Sequence, residues 1–231
     1  MTLAYLGLKP LKYPFSFETR SGQKILIETF HDLVTVWIIF CRKEYQSHNA
    51  PKVVIDAGAN IGTFSIFAVK EWPVEKIYAF EPFPETLEKL KYNIKSNKLE
   101  QQINIQGYAF AGSSGEQAMD LSTGPSQSRG LLSQDDSRPS LQVPSISLPD
   151  FLSQESISQV DFLKMDIEGS EHDVLLNTPD ETLAKIRELG LEYHPVRNKK
   201  DLFNKLTGSG FHMTEDFVIG PDSGVAHFIR P

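Results

Sequence analysis

Cysteine is nearly absent. The 231 residues contain one, Cys41, which excludes an intramolecular disulfide framework and is consistent with a reducing cytoplasm. That thiol follows an apolar run and is expected to be buried and inert. Long hydrophobic runs are missing too. The most apolar stretch, residues 33–40, falls far short of the ~20 residues that cross a bilayer, so it is expected in the core. Residues 1–12 have neither an extended apolar centre nor a small-residue cleavage site, so no secretory leader is read there and a soluble, cytoplasmic protein is expected. Positive charge is in deficit: 23 Lys and Arg against 30 Asp and Glu leave a net charge of −7, which argues against general nucleic-acid binding. The local basic cluster, Arg197, Lys199, Lys200 and Lys205, reads as the solvated face of a helix. What remains is ordinary for a globular chain, with 40% hydrophobic and 23% charged residues. The length fits one domain that buries roughly 70–75% of its unfolded surface.

The informative stretch is 52–81. Val53-Val54-Ile55 is a short apolar run leading into Asp56-Ala57-Gly58-Ala59-Asn60-Ile61-Gly62. Phe64, Phe67, Ala68 and Trp72 then recur at helical spacing as one apolar stripe, and Lys76-Ile77-Tyr78-Ala79-Phe80-Glu81 is a second strand. Gly58 and Gly62 permit a tight turn and close approach of a ligand, and Asn60 tolerates a left-handed conformation. Glu81 follows Gly62 by nineteen residues, near the spacing that sets a carboxylate on a ribose in nucleotide-binding βαβ units.

Two cofactor classes compete for this turn. A dinucleotide brings a pyrophosphate, which favours bare amides and a G-x-G-x-x-G turn, and that motif is lacking here. Asp56, two residues before the first Gly, would repel a diphosphate but suit a cation. S-adenosylmethionine carries a sulfonium and an ammonium, has no phosphate, and keeps a ribose for Glu81. The charge pattern therefore favours it over NAD. In the blander reading, Asp56 only caps the helix.

The turn at 56–62, the later Phe80-Glu81-Pro82, and Leu163-Lys164-Met165-Asp166-Ile167-Glu168-Gly169-Ser170-Glu171 together resemble the FkbM family of S-adenosylmethionine-dependent methyltransferases. The likeness runs from about Val53 to His194. It implies a single α/β, Rossmann-like class I methyltransferase domain, with a seven-stranded, mostly parallel sheet and helices on both faces. It also implies methylation of hydroxyl groups on small molecules, glycans or lipids. The cofactor set it points to is Asp56, Ala57, Gly58, Ala59, Asn60, Gly62, Phe64, Glu81, Pro82, Ala109, Phe110 and Asp166.

The rest of the chain is read around that unit. Residues 1–50 form an N-terminal extension, and 51–231 the methyltransferase domain. Within the extension, 15–18 and 24–28 read as a β-hairpin, and Val34, Trp37, Ile38 and Cys41 as a helix face. It either borders the cofactor site or merely covers a sheet edge. Pro84 starts a helix with Leu87, Leu90 and Ile94 inward. Residues 103–108 are a third strand, whose end at Ala109 and Phe110 borders adenine in this fold class. Residues 112–140, rich in Ser, Gly, Gln, Asp and Pro, read as a flexible loop that closes over the acceptor. A strand at 141–147 and a helix at 148–152 follow. The fourth strand ends at Asp166, a helix takes Leu183, Ile186 and Leu189, and 189–194 is the fifth strand. A closing hairpin spans 217–229.

Four residues are expected at the carboxyl ends of the fourth and fifth strands: Asp166, Glu168, Glu192 and His194. His194 has a free pKa of about 6.5 and is the best-tuned general base, with Glu168 or Glu192 orienting it; Asp166 either orients it or is itself the base. Glu171 is assigned the milder role of complementing a helix dipole. Asp166, Glu168 and Glu192 could also hold a divalent cation, although the spacing does not require one. A non-catalytic S-adenosylmethionine-binding module and an NAD-dependent oxidoreductase are the alternatives. His31, His48, His172, His212 and His227 are read as surface or core residues.

Overall fold

Strands form where β-branched and aromatic residues run between turn signals, and the computed structural model shows twelve of them among the residues it describes (11–47, 49–122, 130–132 and 136–231). A small antiparallel hairpin, β1 (Phe15–Glu18) and β2 (Lys24–Ile27), leads to helix α1 (Phe30–Trp37). Thr29 and Asp32 form a reciprocal capping box at the start of α1. The helix continues as one wide π-helical segment, Ile38–Arg42.

The main sheet has seven strands. In chain order they are β3 (Val53–Ala57), β4 (Lys76–Phe80), β5 (Ile103–Gln106), β9 (Val160–Met165), β10 (Ile186–Tyr193), β11 (His212–Gly220) and β12 (Ser223–Ile229). Their spatial order is β11-β12-β10-β9-β3-β4-β5. All pairings are parallel except those of β12, which runs antiparallel to both neighbours. The strand order reverses between β3 and β9, and in open parallel sheets this switch point opens a crevice at the carboxyl ends. Helices α2 (Thr63–Glu71), α3 (Pro84–Ser96), α4 (Leu148–Gln154), α5 (Glu171–Asn177), α6 (Asp180–Leu183) and α7 (Lys199–Gly208) complete the layers. Alternation along β3 sends Val54 into one apolar layer and Ile55 and Ala57 into the other. This is a Rossmann-like α/β fold.

Three short strands form a separate sheet beside the crevice: β6 (Ala109–Phe110), β8 (Ser140–Ile146) and β7 (Gly115–Asp120). The third strand read from the sequence is therefore split, since β5 belongs to the main sheet and β6 does not. Part of the expected flexible loop at 112–140 is strand: β7 pairs antiparallel with β8 through six residues, and Leu131 bridges Met119. Within that loop, 123–129 and 133–135 lie outside the described residues, as does His48.

Other expectations shift for local reasons. Alpha-helix α1 buries Asp32, Leu33 and Val36, and the π-helical segment buries Ile39, whereas Val34, Trp37 and Ile38 are only half-buried and Cys41 is exposed rather than buried. The wider π-turn changes the angular step per residue, so the extrapolated periodicity fails at Cys41. The run Thr63–Ala68 at the start of α2 is buried on every side rather than along one stripe, because the π-helical segment Ile38–Arg42 packs against it, with the Phe40 ring edge-on to Phe67. Ile186 and Leu189 belong to β10, and the helix before it stops at Leu183.

Candidate active site

The glycine turn after β3 is held to the neighbouring strands. Gly58 and Ala59 donate their amides to the Phe80 carbonyl (3.1 and 2.7 Å), and Asp166 donates to the Ala57 carbonyl (3.2 Å). Gly58 has φ +77°, and a Cβ there would fall 1.8 Å from the Asp166 carbonyl oxygen, so only glycine fits. Asn60 is left-handed (φ +50°), as the sequence suggests. Together these contacts place the turn over a cavity of about 220 Å³ at the carboxyl ends of β3, β4 and β9.

Of the expected cofactor set, Gly58, Ala59, Asn60, Phe64, Glu81, Pro82, Ala109, Phe110 and Asp166 line this cavity. Asp56, Ala57 and Gly62 do not. Gly62 is the N-cap of α2. Asp56 is fully buried beneath the floor, where Ser65 Oγ donates to it at 2.6 Å and Lys164 Nζ lies 3.5 Å away. Burial pushes its pKa up against the pull of Lys164 and Ser65. The expectation that Asp56 faces the crevice is thus corrected: the first acidic group exposed to the cavity comes from other strands.

Glu81, at the tip of β4, accepts the backbone amides of Asn60 (3.1 Å) and Phe83 (2.9 Å). Burial outweighs those two bonds and pushes its pKa up to about 7. Asn60 Oδ1 and Thr63 Oγ1 are buried polar atoms without an intramolecular partner, on residues that line the same cavity. Unpaired polar atoms of this kind are uncommon in folded chains and mark a place for a ligand's own donors.

Lys164, absent from the expected set, sits at the centre. It lies opposite Asp56 in the β3–β9 register, which brings its ammonium to the strand tips. Nζ donates to the Gly58 carbonyl (2.7 Å) and the Ala57 carbonyl (3.3 Å), and it lies 3.4 Å from Asp166 Oδ2. Burial alone would lower its pKa, but the carboxylates of Asp166, Asp56 and Glu192 more than reverse that, so it stays charged.

Beside it are Glu168, Glu192 and His194. Glu168 is left-handed (φ +55°), a strained conformation for a non-glycine residue and one that concentrates at functional sites. His194 Nε2 lies 3.4 Å from Glu168 Oε2 and 4.0 Å from Glu192 Oε1, and Nδ1 is 3.0 Å from Glu171 Oε1. Glu171 is fully buried and also accepts the amides of Ile167 and Gly169. It therefore does far more than complement a dipole: it fixes His194 from below. Burial disfavours the imidazolium, yet the bond to Glu171 and the charges of Glu171, Asp166 and Glu168 raise its pKa to about 10. Burial and the Asp166 charge push Glu168 to about 7 and Glu192 to about 8, against the pull of His194. His194 is not in the cavity lining, while Asp166, Glu168 and Glu192 are. The ring thus stands behind the carboxylates, and their charge favours its protonated form.

Asp166, Glu192 and His194 offer atoms within 4.8 Å of one another. A divalent cation would have to displace the Lys164 ammonium from Asp166 and the proton from His194, so these residues do not fit one.

The N-terminal extension completes the wall. Tyr45 Oη donates to Glu192 Oε2 at 3.2 Å, its ring packs over Gly190 of β10, and Thr35, Ile38 and Ile39 line the cavity beside it. Of the two readings left open for residues 1–50, the structure has the one that borders the site.

Comparison with known proteins gives this geometry a family. Residues 56–216 match the Methyltransferase FkbM domain. The chain belongs to the FkbM methyltransferase family. Relatives of this FkbM-family chain include methyltransferase sdnD of Sordaria araneosa, 25% identical over 210 residues (77% of this chain, 81% of the relative). The 31-O-demethyl-FK506 methyltransferase FkbM of Streptomyces tacrolimicus is 25% identical over 189 residues (69% and 72%). Among solved structures, methyltransferase FkbM from Methylobacillus flagellatus KT superposes with a TM-score of 0.58 at 16% identity. That match covers 84% of this chain and 47% of the other, so this chain spans about half of that protein.

Proposed function

We propose that the chain is an S-adenosylmethionine-dependent O-methyltransferase acting on an uncharged hydroxyl acceptor. The observation that carries the reading is one cavity with Glu81 at the tip of β4 and Asp166, Glu168 and Glu192 around the tips of β9 and β10. Glu81, fixed by two amides, would take the ribose hydroxyls. Asn60 Oδ1 and Thr63 Oγ1, lacking partners, would take the amino-acid end, and Ala109 and Phe110 the flat adenine. Asp166 would face the positive charge that Asp56 was expected to meet. When bound, S-adenosylmethionine supplies an electrophilic methyl group.

The chain's own residues then have two tasks. They align the acceptor oxygen, an effect worth up to ~7–11 kcal/mol when geometry is good. They also remove its proton. The Glu168–Glu192 pair suits this second task, with pKa values of about 7 and 8 that lie near a neutral working pH. His194 holds the pair in place as a fixed imidazolium, and Tyr45 orients Glu192. The relative named as a 31-O-demethyl-FK506 methyltransferase supports oxygen as the acceptor atom. The acidic mouth weighs against phosphate-rich acceptors such as nucleic acid.

The test is calorimetric titration with S-adenosylhomocysteine and with NAD. The first is expected to bind and the second not, and Glu81→Gln should weaken S-adenosylhomocysteine by about 1.5–3 kcal/mol, the worth of a hydrogen bond to a charged group. Binding of NAD without S-adenosylhomocysteine would refute the proposal. Methyl-label transfer into an extract of the source cell would then identify the acceptor.

A further inference from the structure

The active-site end of the sheet carries an exposed apolar surface that methyl transfer alone does not use. Strand β11 is the sheet edge, and just before its final Gly220 it carries Phe217, Val218 and Ile219, exposed by 49, 59 and 69%. Val218 pairs with Gly224 of β12, and Gly224 pairs with Tyr193 of β10, so the hairpin tip is level with the end of β10, where His194 begins the active-site loop. Ile219 is the extra residue of a bulge between Val218 and Gly220, which turns it out of the ladder. Beside the tip, the 195–199 connection is tied to the hairpin by the Lys199 amide on Asp222 (3.3 Å). It presents Val196, 60% exposed, whose Cγ2 packs against Gly169 next to Glu168. Arg197 is exposed on the same connection and Lys200 on the first turn of α7, while the Asp216 charge is taken up by Lys199 at 3.3 Å.

We propose that this apolar tip and its basic flank dock the protein on an anionic bilayer surface. Phe217 and Val218 point to opposite faces of the strand, and both are exposed. A protein partner covers one face, whereas lipid surrounds a tip on all sides. Three strand residues span roughly 10 Å, which matches the 5–10 Å depth at which apolar side chains settle below lipid headgroups. Self-pairing of β11 is disfavoured, because its other half (His212 to Asp216) has Met213 as its one exposed apolar residue and would set the acidic Glu215 and Asp216 near one another across a twofold axis. Arg197 and Lys200 meet the negative headgroups. Resting on the proposed methyl transfer, the acceptor is then a hydroxyl on a lipid or on a lipid-borne molecule, delivered to the Glu168–Glu192 mouth from the membrane side.

Cosedimentation tests this with vesicles of equal phosphatidylcholine and phosphatidylglycerol, and with phosphatidylcholine alone. The wild-type chain is expected to pellet with the first and far less with the second. Val218→Glu and Ile219→Glu should each reduce pelleting by about tenfold or more, since burying one such side chain shifts a partition by that order. Arg197→Glu should weaken it further while leaving S-adenosylhomocysteine affinity unchanged. Absence of pelleting, equal pelleting on neutral vesicles, or pelleting unaffected by the glutamates overturns the proposal. So does a dimer in light scattering that Ile219→Glu dissociates without any vesicle binding, which would assign the patch to a second copy. The donor site fails separately: a wild-type chain that pellets but does not bind S-adenosylhomocysteine supports docking and refutes the methyl-donor reading.

Discussion

Glu81, Glu168, Glu192 and His194 titrate in a direction fixed by what surrounds each of them. All four have folded pKa values above their ordinary ones: about 7, 7 and 8 for the carboxyls and about 10 for the imidazole. A raised value contributes stability below the unfolded pKa and loses it as pH climbs through the folded one. The carboxyl contributions are thus complete below about pH 4.5 and gone above about pH 8, and the His194 contribution is complete below about pH 6.5 and lost towards pH 10. Stability should fall steadily as pH rises from about 5 to about 10. Glu192→Gln should melt above wild type at about pH 8, with the difference vanishing at about pH 5; a wild-type melting temperature that is flat over that range would count against the picture. In the pH profile of methyl transfer, the rising limb should sit at about 7–8 and shift upward in His194→Gln, which removes the cation that eases ionisation of the pair. A rising limb near 6.5 that disappears in that variant would instead make His194 the base. Magnesium and a chelator should each leave S-adenosylhomocysteine affinity unchanged, since an ammonium already serves Asp166.

At the scale of elements, the cap and the glycine turn lend themselves to direct tests. Thr29→Ala removes the oxygen that accepts the Asp32 amide and should cost about 0.5–2 kcal/mol in urea unfolding. Gly58→Ala forces a Cβ onto the Asp166 carbonyl and should cost about 4 kcal/mol or more, with loss of S-adenosylhomocysteine binding. Strands β3, β4 and β9 are legible in the sequence because each is a short apolar run ending at a Gly or acidic residue. Strand β7 is not: Gly-Glu-Gln-Ala-Met-Asp has no apolar alternation, and its order comes from pairing with β8. The cluster on β9 and β10 is legible because period two places Glu192 and His194 on one side. Lys164, Tyr45 and Glu171 are not, because their roles arise from contacts that cross strands or long stretches of chain, such as the 147 residues from Tyr45 to Glu192. Lys164 did leave one signal, since it stands two residues before Asp166 in the motif and faces the same way.

Over the whole molecule, the extension and the sheet share one apolar layer. Ile25, Ile27, Leu33, Val36, Ile39 and Tyr45 pack with Val54, Phe64 and Phe162. A chain beginning at Pro51 should therefore lose S-adenosylhomocysteine binding and its cooperative melt by circular dichroism, rather than merely lose substrate preference. The deeper layer raises a different point about Lys164. Two halves of the crevice, one built on β3 and one on β9, share the Lys164 ammonium, held by carbonyls of the first and carboxylates of both. Neutralising either Asp56 or Asp166 leaves that cation to the other, so Asp56→Asn and Asp166→Asn should differ from additivity by about 0.5–3 kcal/mol in unfolding. Donor-side and acceptor-side substitutions in this protein are consequently never independent experiments.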